Sequence, residues 1–171
     1  AFTAVNRIDD FAYTPEQNIA HSMTALMAQN KGAGKKNRMQ EGFRCGMVLE
    51  SIYGIFIFLV CFIFAKPLMC LFVQDEEVIM HGVTYLHLIS IMYILPAFTN
   101  GIQGFFRGIG DLKITLISSL VNMTVRVIVA APLVFSLHLG IEALPYSYLA
   151  GWIGMLVAEL PLLIRTYKAY E

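Results

Sequence analysis

The chain has 171 residues, 57% of them apolar and only 14% charged, with twelve basic side chains against twelve acidic ones. An ordinary globular domain is roughly a quarter charged, so this composition points to lipid rather than water as the surrounding medium. The zero net charge leaves no global field to recruit nucleic acid, and Cys45, Cys61 and Cys70 lack the spacing or nearby histidines of a disulfide framework or zinc site. All three read as small buried hydrophobes.

The chain begins "AFTAVNRIDD", with no basic region leading into an apolar run, and reads as a piece of something longer. Its first segment, approximately residues 1–29, is ambiguous, because Arg7, Asp9, Asp10 and Glu16 stand among its apolar positions. It is either an amphipathic helix on the membrane surface or a span whose polar face lines water or other helices. Glu16 follows Pro15, and a proline at mid-segment frees a backbone carbonyl that needs a new partner. "EQN", Glu16 to Asn18 with Gln17 between them, is therefore a candidate polar site, and Asp10 is a further candidate on the same segment.

The next stretch, "QNKGAGKKNR", has the glycines and lysines of a phosphate loop but not its spacing, and Lys36 stands where a hydroxyl must meet magnesium. Gly32 and Gly34 read instead as the end of a helix. Four further segments are each long and apolar enough to span a bilayer: approximately residues 46–66, 78–106, 112–139 and 141–165. Glu50 is the single charge between Met47 and Ala65. "VQDEEV" supplies an N-cap at Asp75, with Glu76 and Glu77 in the first turn of the following helix. "FRGIGDLK" makes a second tight turn from Arg107, Gly108, Gly110 and Asp111.

Basic residues gather in three places: Lys31 to Arg44, Arg107 with Lys113, and Arg165 with Lys168. If all five segments span, these places share one side, and the other side holds Lys66 with Asp75, Glu76, Glu77 and Glu142. The positive-inside rule makes the basic side, and with it the C-terminus, cytoplasmic in a plasma or inner membrane. The fold class is all-α, a polytopic membrane helix bundle of about five spans.

No motif of a soluble enzyme occurs, no metal-ligating pattern is present, and no cofactor is expected. Charges inside spans carry more information, since each costs roughly 2.5–3.5 kcal/mol at the bilayer centre and needs a partner or water. Arg126 has two readings, a structural ion pair with Glu159 on the next helix or a charge that tunes a neighbouring acid. Asn100, Gln103 and Asn122 are either interhelical glue or binding groups.

Three stretches carry a resemblance: "NRIDDFAYTPEQNIAHSMTALMAQNKGAGKKNRMQEGFRCG", "FVQDEEVIMHGVTYL" and "GFFRGIGDLKITLISSLVNMTVRVIVAAPL". In order, spacing and sidedness the chain resembles the multidrug and toxic compound extrusion (MATE) transporters. The resemblance implies helices eight to twelve of a twelve-helix, two-lobed plan, so the first segment becomes a span and the N-terminal lobe is missing. It implies antiport of organic cations, drugs or other amphipathic compounds against protons or sodium ions. The partners are then the lipid bilayer, the small-molecule substrate and the missing lobe. Asp10, Glu16, Gln17, Asn100, Gln103, Asn122 and Arg126 become candidates for binding substrate or ion. Pro96 stands where the sodium-coupled branch carries an aspartate, so that branch's cation site does not carry over. A lipid-linked oligosaccharide flippase of the same superfamily and a non-transporting membrane scaffold remain as alternatives, the single central arginine weighing against the flippase.

Overall fold

The structure, a computed structural model, describes residues 2–135 and 143–168, whose regular elements are all helices. They are α1 (Phe2–Gly32), α2 (Lys36–Ile63), α3 (Ala65–Cys70), α4 (Glu76–Ser90), a 3-10 turn (Ile91–Tyr93), α5 (Ile94–Gly108), α6 (Leu112–Phe135) and α7 (Ala143–Lys168). The facing ends of the last two expected spans, with Glu142, lie outside the described residues. Four stretches are long and apolar enough to cross a membrane: Lys36–Ile63, Glu76–Gly108, Leu112–Phe135 and Ala143–Lys168.

Local chemistry sets the breaks. After α1, Gly34 takes φ +66°, its N–H bonds the Lys31 carbonyl, and the Lys35 N–H reaches back to Asn30 at 2.9 Å. After α5, Gly110 takes φ +83°, its N–H bonds the Arg107 carbonyl, and Asp111 reaches back to Phe106 at 2.9 Å. Both are the same glycine closure, in which a left-handed residue lets two N–H groups satisfy the last free carbonyls. Gly32 and Gly108 are the last residues of α1 and α5, and Gly108 is also closely packed: a Cβ on it would stand 2.3 Å from Met27 Cβ and 2.7 Å from the Thr24 carbonyl. Asp75 caps α4 as expected, accepting from the Val78 N–H at 3.1 Å. Pro67 falls in the first turn of α3, where its missing N–H costs least.

Packing also shows how the first segment joins the bundle. α1 runs parallel to the continuous span of α4 and α5. Val5 and Ile8 cluster with Leu86, Ile89, Ala65 and Met69, whereas Met23 and Met27 cluster with Phe105, Phe106 and Ile109. Its ends thus reach the opposite ends of the bundle, and 31 residues make a helix about 46 Å long, more than a hydrocarbon core requires. The close approach comes from small residues: a Cβ on Gly104 would lie 2.7 Å from the Ala20 carbonyl, and the Thr24 hydroxyl donates to the Gly104 carbonyl at 3.2 Å.

The three basic places converge at one end, where the Lys31 ammonium donates to the Ile109 carbonyl and Lys113 and Arg165 line the same cleft. Elsewhere the outer surface is apolar, with Ile52, Phe56, Leu120, Met123, Val127 and Val157 all more than half exposed. The outer face of α1 differs: Arg7, Asp10, Gln17, Asn18 and His21 are exposed along it. The cysteine reading is corrected in part, since Cys61 is buried but Cys45 and Cys70 are exposed. Cys45 sits between Phe43 and Gly46, off the buried stripe of α2.

Candidate functional site

On α1 the buried positions include Val5, Ile8, Ala12, Glu16, Ala20, Met23 and Met27, a run of three- and four-residue steps with one carboxyl at its centre. On α2 they include Met39, Phe43, Gly46, Glu50 and Gly54, again with one carboxyl in the stripe. Both stripes face α5, where small residues leave room for them. A Cβ on Gly101 would lie 3.6 Å from Glu50 Cγ, and one on Gly54 would lie 3.1 Å from Ala97 Cβ.

Glu16 and Glu50 are both 0% exposed, and none of their four carboxyl oxygens has a hydrogen-bond partner. Glu50 is the charge that acts on Glu16, and the Asn100 side chain stands beside Glu16 without closing a hydrogen bond. A buried carboxylate without donor or counter-ion costs several kcal/mol. Two such groups close enough to act on each other are costly when both are ionised. Pro15 lies one residue before, and in the same stretch the Ala12 carbonyl accepts the Tyr53 hydroxyl at 3.1 Å.

The remaining expected residues separate into two groups. Gln103 Nε2 donates to Glu159 Oε1 at 3.3 Å and lies 4.0 Å from Met155 Sδ, while Asn122 Nδ2 lies 3.6 Å from the same sulfur. These three helices, α5, α6 and α7, meet around Glu159, which is also 0% exposed. Arg126 is elsewhere. Its stem packs on Gly151, where an added Cβ would meet Arg126 Cγ at 2.5 Å, and its guanidinium carbon lies 3.9 Å from the centroid of the Tyr148 ring.

The expected Arg126–Glu159 ion pair is therefore corrected. Tyr148 precedes Glu159 by 11 residues on α7, about 16 Å of helix, and the arginine extends toward Tyr148, away from the acid. Asp10 and Gln17 join neither group, because they point off the exposed face of α1.

Several residues that line these places escaped the sequence reading. Glu50 was visible as the lone charge of its span, and its four-residue step from Gly46 and Gly54 was the signal that it faces protein. Asp9 accepts a hydrogen bond from the Tyr93 hydroxyl. Tyr13 meets Tyr93 edge-on at 5.8 Å and stacks on Trp152 at 6.4 Å. No local pattern joins these four, which come from α1, α7 and the 3-10 turn.

Comparison with known proteins gives these features a setting. The MatE family model matches residues 1–133. The chain belongs to the MatE family. Two curated relatives are the "Probable multidrug resistance protein NorM" of Thermotoga maritima, 24% identical over 87% of this chain, and the "Probable multidrug resistance protein YoeA" of Bacillus subtilis, 24% identical over 100% of it. The chain spans about a third of their lengths, 31% and 36% respectively. Among solved structures it superposes on an inward-facing "multidrug resistance MATE family transporter of the MOP superfamily" with a TM-score of 0.81 at 15% identity, covering 89% of this chain and 36% of that one. It also superposes on "MATE transporter ClbM in complex with Rb+" with a TM-score of 0.80 at 16% identity, covering 99% and 43%. At these identities the structures establish the fold alone, the one shared with the MATE transporters.

Proposed function

We propose that this chain is the C-terminal part of a secondary antiporter that exports organic cations or other amphipathic compounds in exchange for protons or sodium ions. The observation that supports this reading is the Glu16–Glu50 pair, fully buried with four unpartnered oxygens between α1, α2 and α5. A coupling ion does work only if it binds the two access states unequally. An acid pair that is costly when empty and ionised meets that condition, because any movement of α1 against α5 changes what the ion gains by binding. The basic end of the bundle is cytoplasmic in this reading, with the C-terminus on that side. Asp10 and Gln17, on the outer polar face of α1, line the passage toward the missing lobe and meet substrate there. The single arginine over Tyr148 gives little of the basic cavity that an oligosaccharide diphosphate would need.

The test uses the complete protein in sealed vesicles, with export of a fluorescent organic cation followed under an imposed proton or sodium gradient. Uphill export under at least one gradient is the expected result; flux that ignores both gradients would favour the scaffold or flippase instead.

A further inference from the structure

At the basic end a cleft of about 880 Å³ opens between the tips of α1, α5, α6 and α7, lined by Lys31, Lys113, Arg165 and Thr166 and by the Gly110–Asp111 turn. Three cations face one carboxylate, that of Asp111. Lys31 is tied to the Ile109 carbonyl, but Lys113 and Arg165 are exposed, and neither is needed to close the turn. From the rim of this cleft an apolar track descends α6. Leu112, Leu116 and Leu120 follow one another at four-residue steps, which keeps them on one side of the helix, and they are 63%, 63% and 58% exposed. A cationic cleft at a helix end, continued by exposed leucines into the depth of the bilayer, matches the two halves of one ligand.

We propose that this cleft binds the headgroup phosphate of an anionic phospholipid, with an acyl chain lying along Leu112, Leu116 and Leu120. A free phosphate would use the cations but has no use for the leucines. A zwitterionic lipid would use the leucines but brings no net charge to the cations. Basic pockets between spanning helices on the cytoplasmic side are where anionic headgroups gain most, since that leaflet carries the negative surface potential. The proposal rests on the sidedness given under Proposed function, though the site's chemistry does not. Occupied, the lipid would bridge α1 to α6 and α7 across the turn that ends α5.

The experiment takes the complete protein in bilayer discs of phosphatidylcholine with increasing phosphatidylglycerol of the same acyl chains, and counts retained lipids by native mass spectrometry. Saturable retention of phosphatidylglycerol is expected, unaffected by millimolar inorganic phosphate. Its affinity should fall about thirtyfold in the K113Q/R165Q double variant, with phosphatidylcholine retention unchanged. Both discs' leaflets carry the anionic lipid and no gradient is applied, so neither wrong sidedness nor absence of transport alters the readout. Wild-type retention by the double variant would overturn the site. An equal loss in K36Q/R38Q, whose charges lie outside the cleft, would do so too, by assigning the effect to the basic end as a whole. Displacement by inorganic phosphate would make the cleft a free-anion site. Failure of the wild type to retain phosphatidylglycerol would leave the cleft to other parts of the protein.

Discussion

Glu16 and Glu159 are both 0% exposed and both lie in helix stripes that pack on α5, yet their surroundings differ. Around Glu159, the Gln103 amide donates to one oxygen and only the other is unpartnered. Around Glu16 no hydrogen bond is made, and the nearest ionisable neighbour is another acid, Glu50. Gly101, which gives Glu50 its room, and Gln103 are two residues apart and so on opposite sides of α5. One side of this helix holds a carboxyl that the protein itself half satisfies. The other holds a pair whose four oxygens lack a hydrogen-bond partner, with the Asn100 side chain beside Glu16. Buried polar groups without partners are rare enough in native proteins that the second arrangement asks for a ligand, whereas the first is adequate as interhelical structure.

The strongest way to break this contrast is to neutralise each acid in the complete transporter. Glu16→Gln or Glu50→Gln is expected to reduce gradient-driven export of a fluorescent cation to the level of empty vesicles. Thermal stability in detergent should hold or rise, because a buried unpaired charge is removed. Glu159→Gln should retain most of its export. Equal loss from all three variants would erase the difference between the two sides of α5.

Next in size is a packing change on the Glu16 side alone. Gly104→Ala sets a methyl 2.7 Å from the Ala20 carbonyl, one turn from Glu16 and with backbone rather than a flexible side chain in the way. A cost of up to about 3 kcal/mol is expected from the resulting separation of α1 and α5, read as a lowered unfolding midpoint. The converse change on the other side is Gln103→Leu, which strips Glu159 of its donor and makes it resemble Glu16. That should cost about 2 kcal/mol, and adding Glu159→Gln to it should recover part of the loss. If Gln103→Leu is neutral, the 3.3 Å contact contributes nothing to holding Glu159.

Much of this was legible in the chain, for reasons that differ by residue. The glycine closures at Gly34 and Gly110 and the Asp75 cap are local chemistry, so a few residues sufficed to place them. Glu16 was found because it breaks an apolar segment beside a proline. Glu50 stands in the sequence as a bare exception to hydropathy, and its four-residue steps from Gly46 and Gly54 are what point it inward. The place of α1 was hidden from hydropathy because its outer face is polar, and only its packing along α4 and α5 shows that it runs the length of the bundle. The Asp9–Tyr93 contact joins residues 84 apart and has no sequence signature at all.

The Arg126–Glu159 pairing failed for a reason that can itself be measured. α6 and α7 are antiparallel, and each four-residue step along one is matched by a step back along the other: Ser118 acts on Glu159, Asn122 reaches Met155, and Arg126 lies on Gly151. In that register the arginine and the acid are two helical turns out of step, a mismatch that opposite charges on neighbouring spans do not reveal until depth is counted. The smallest predicted effect follows. In a double-mutant cycle of Arg126→Gln and Glu159→Gln on the complete protein, the two stability changes should add to within about 0.5 kcal/mol, as for sites that share no partner. A coupling of about 3 kcal/mol, the scale of a broken buried pair, would restore the ion pair and give Glu159 a second satisfied oxygen. It would also deepen the contrast with Glu16, which has no basic side chain in the matching position on either α2 or α5.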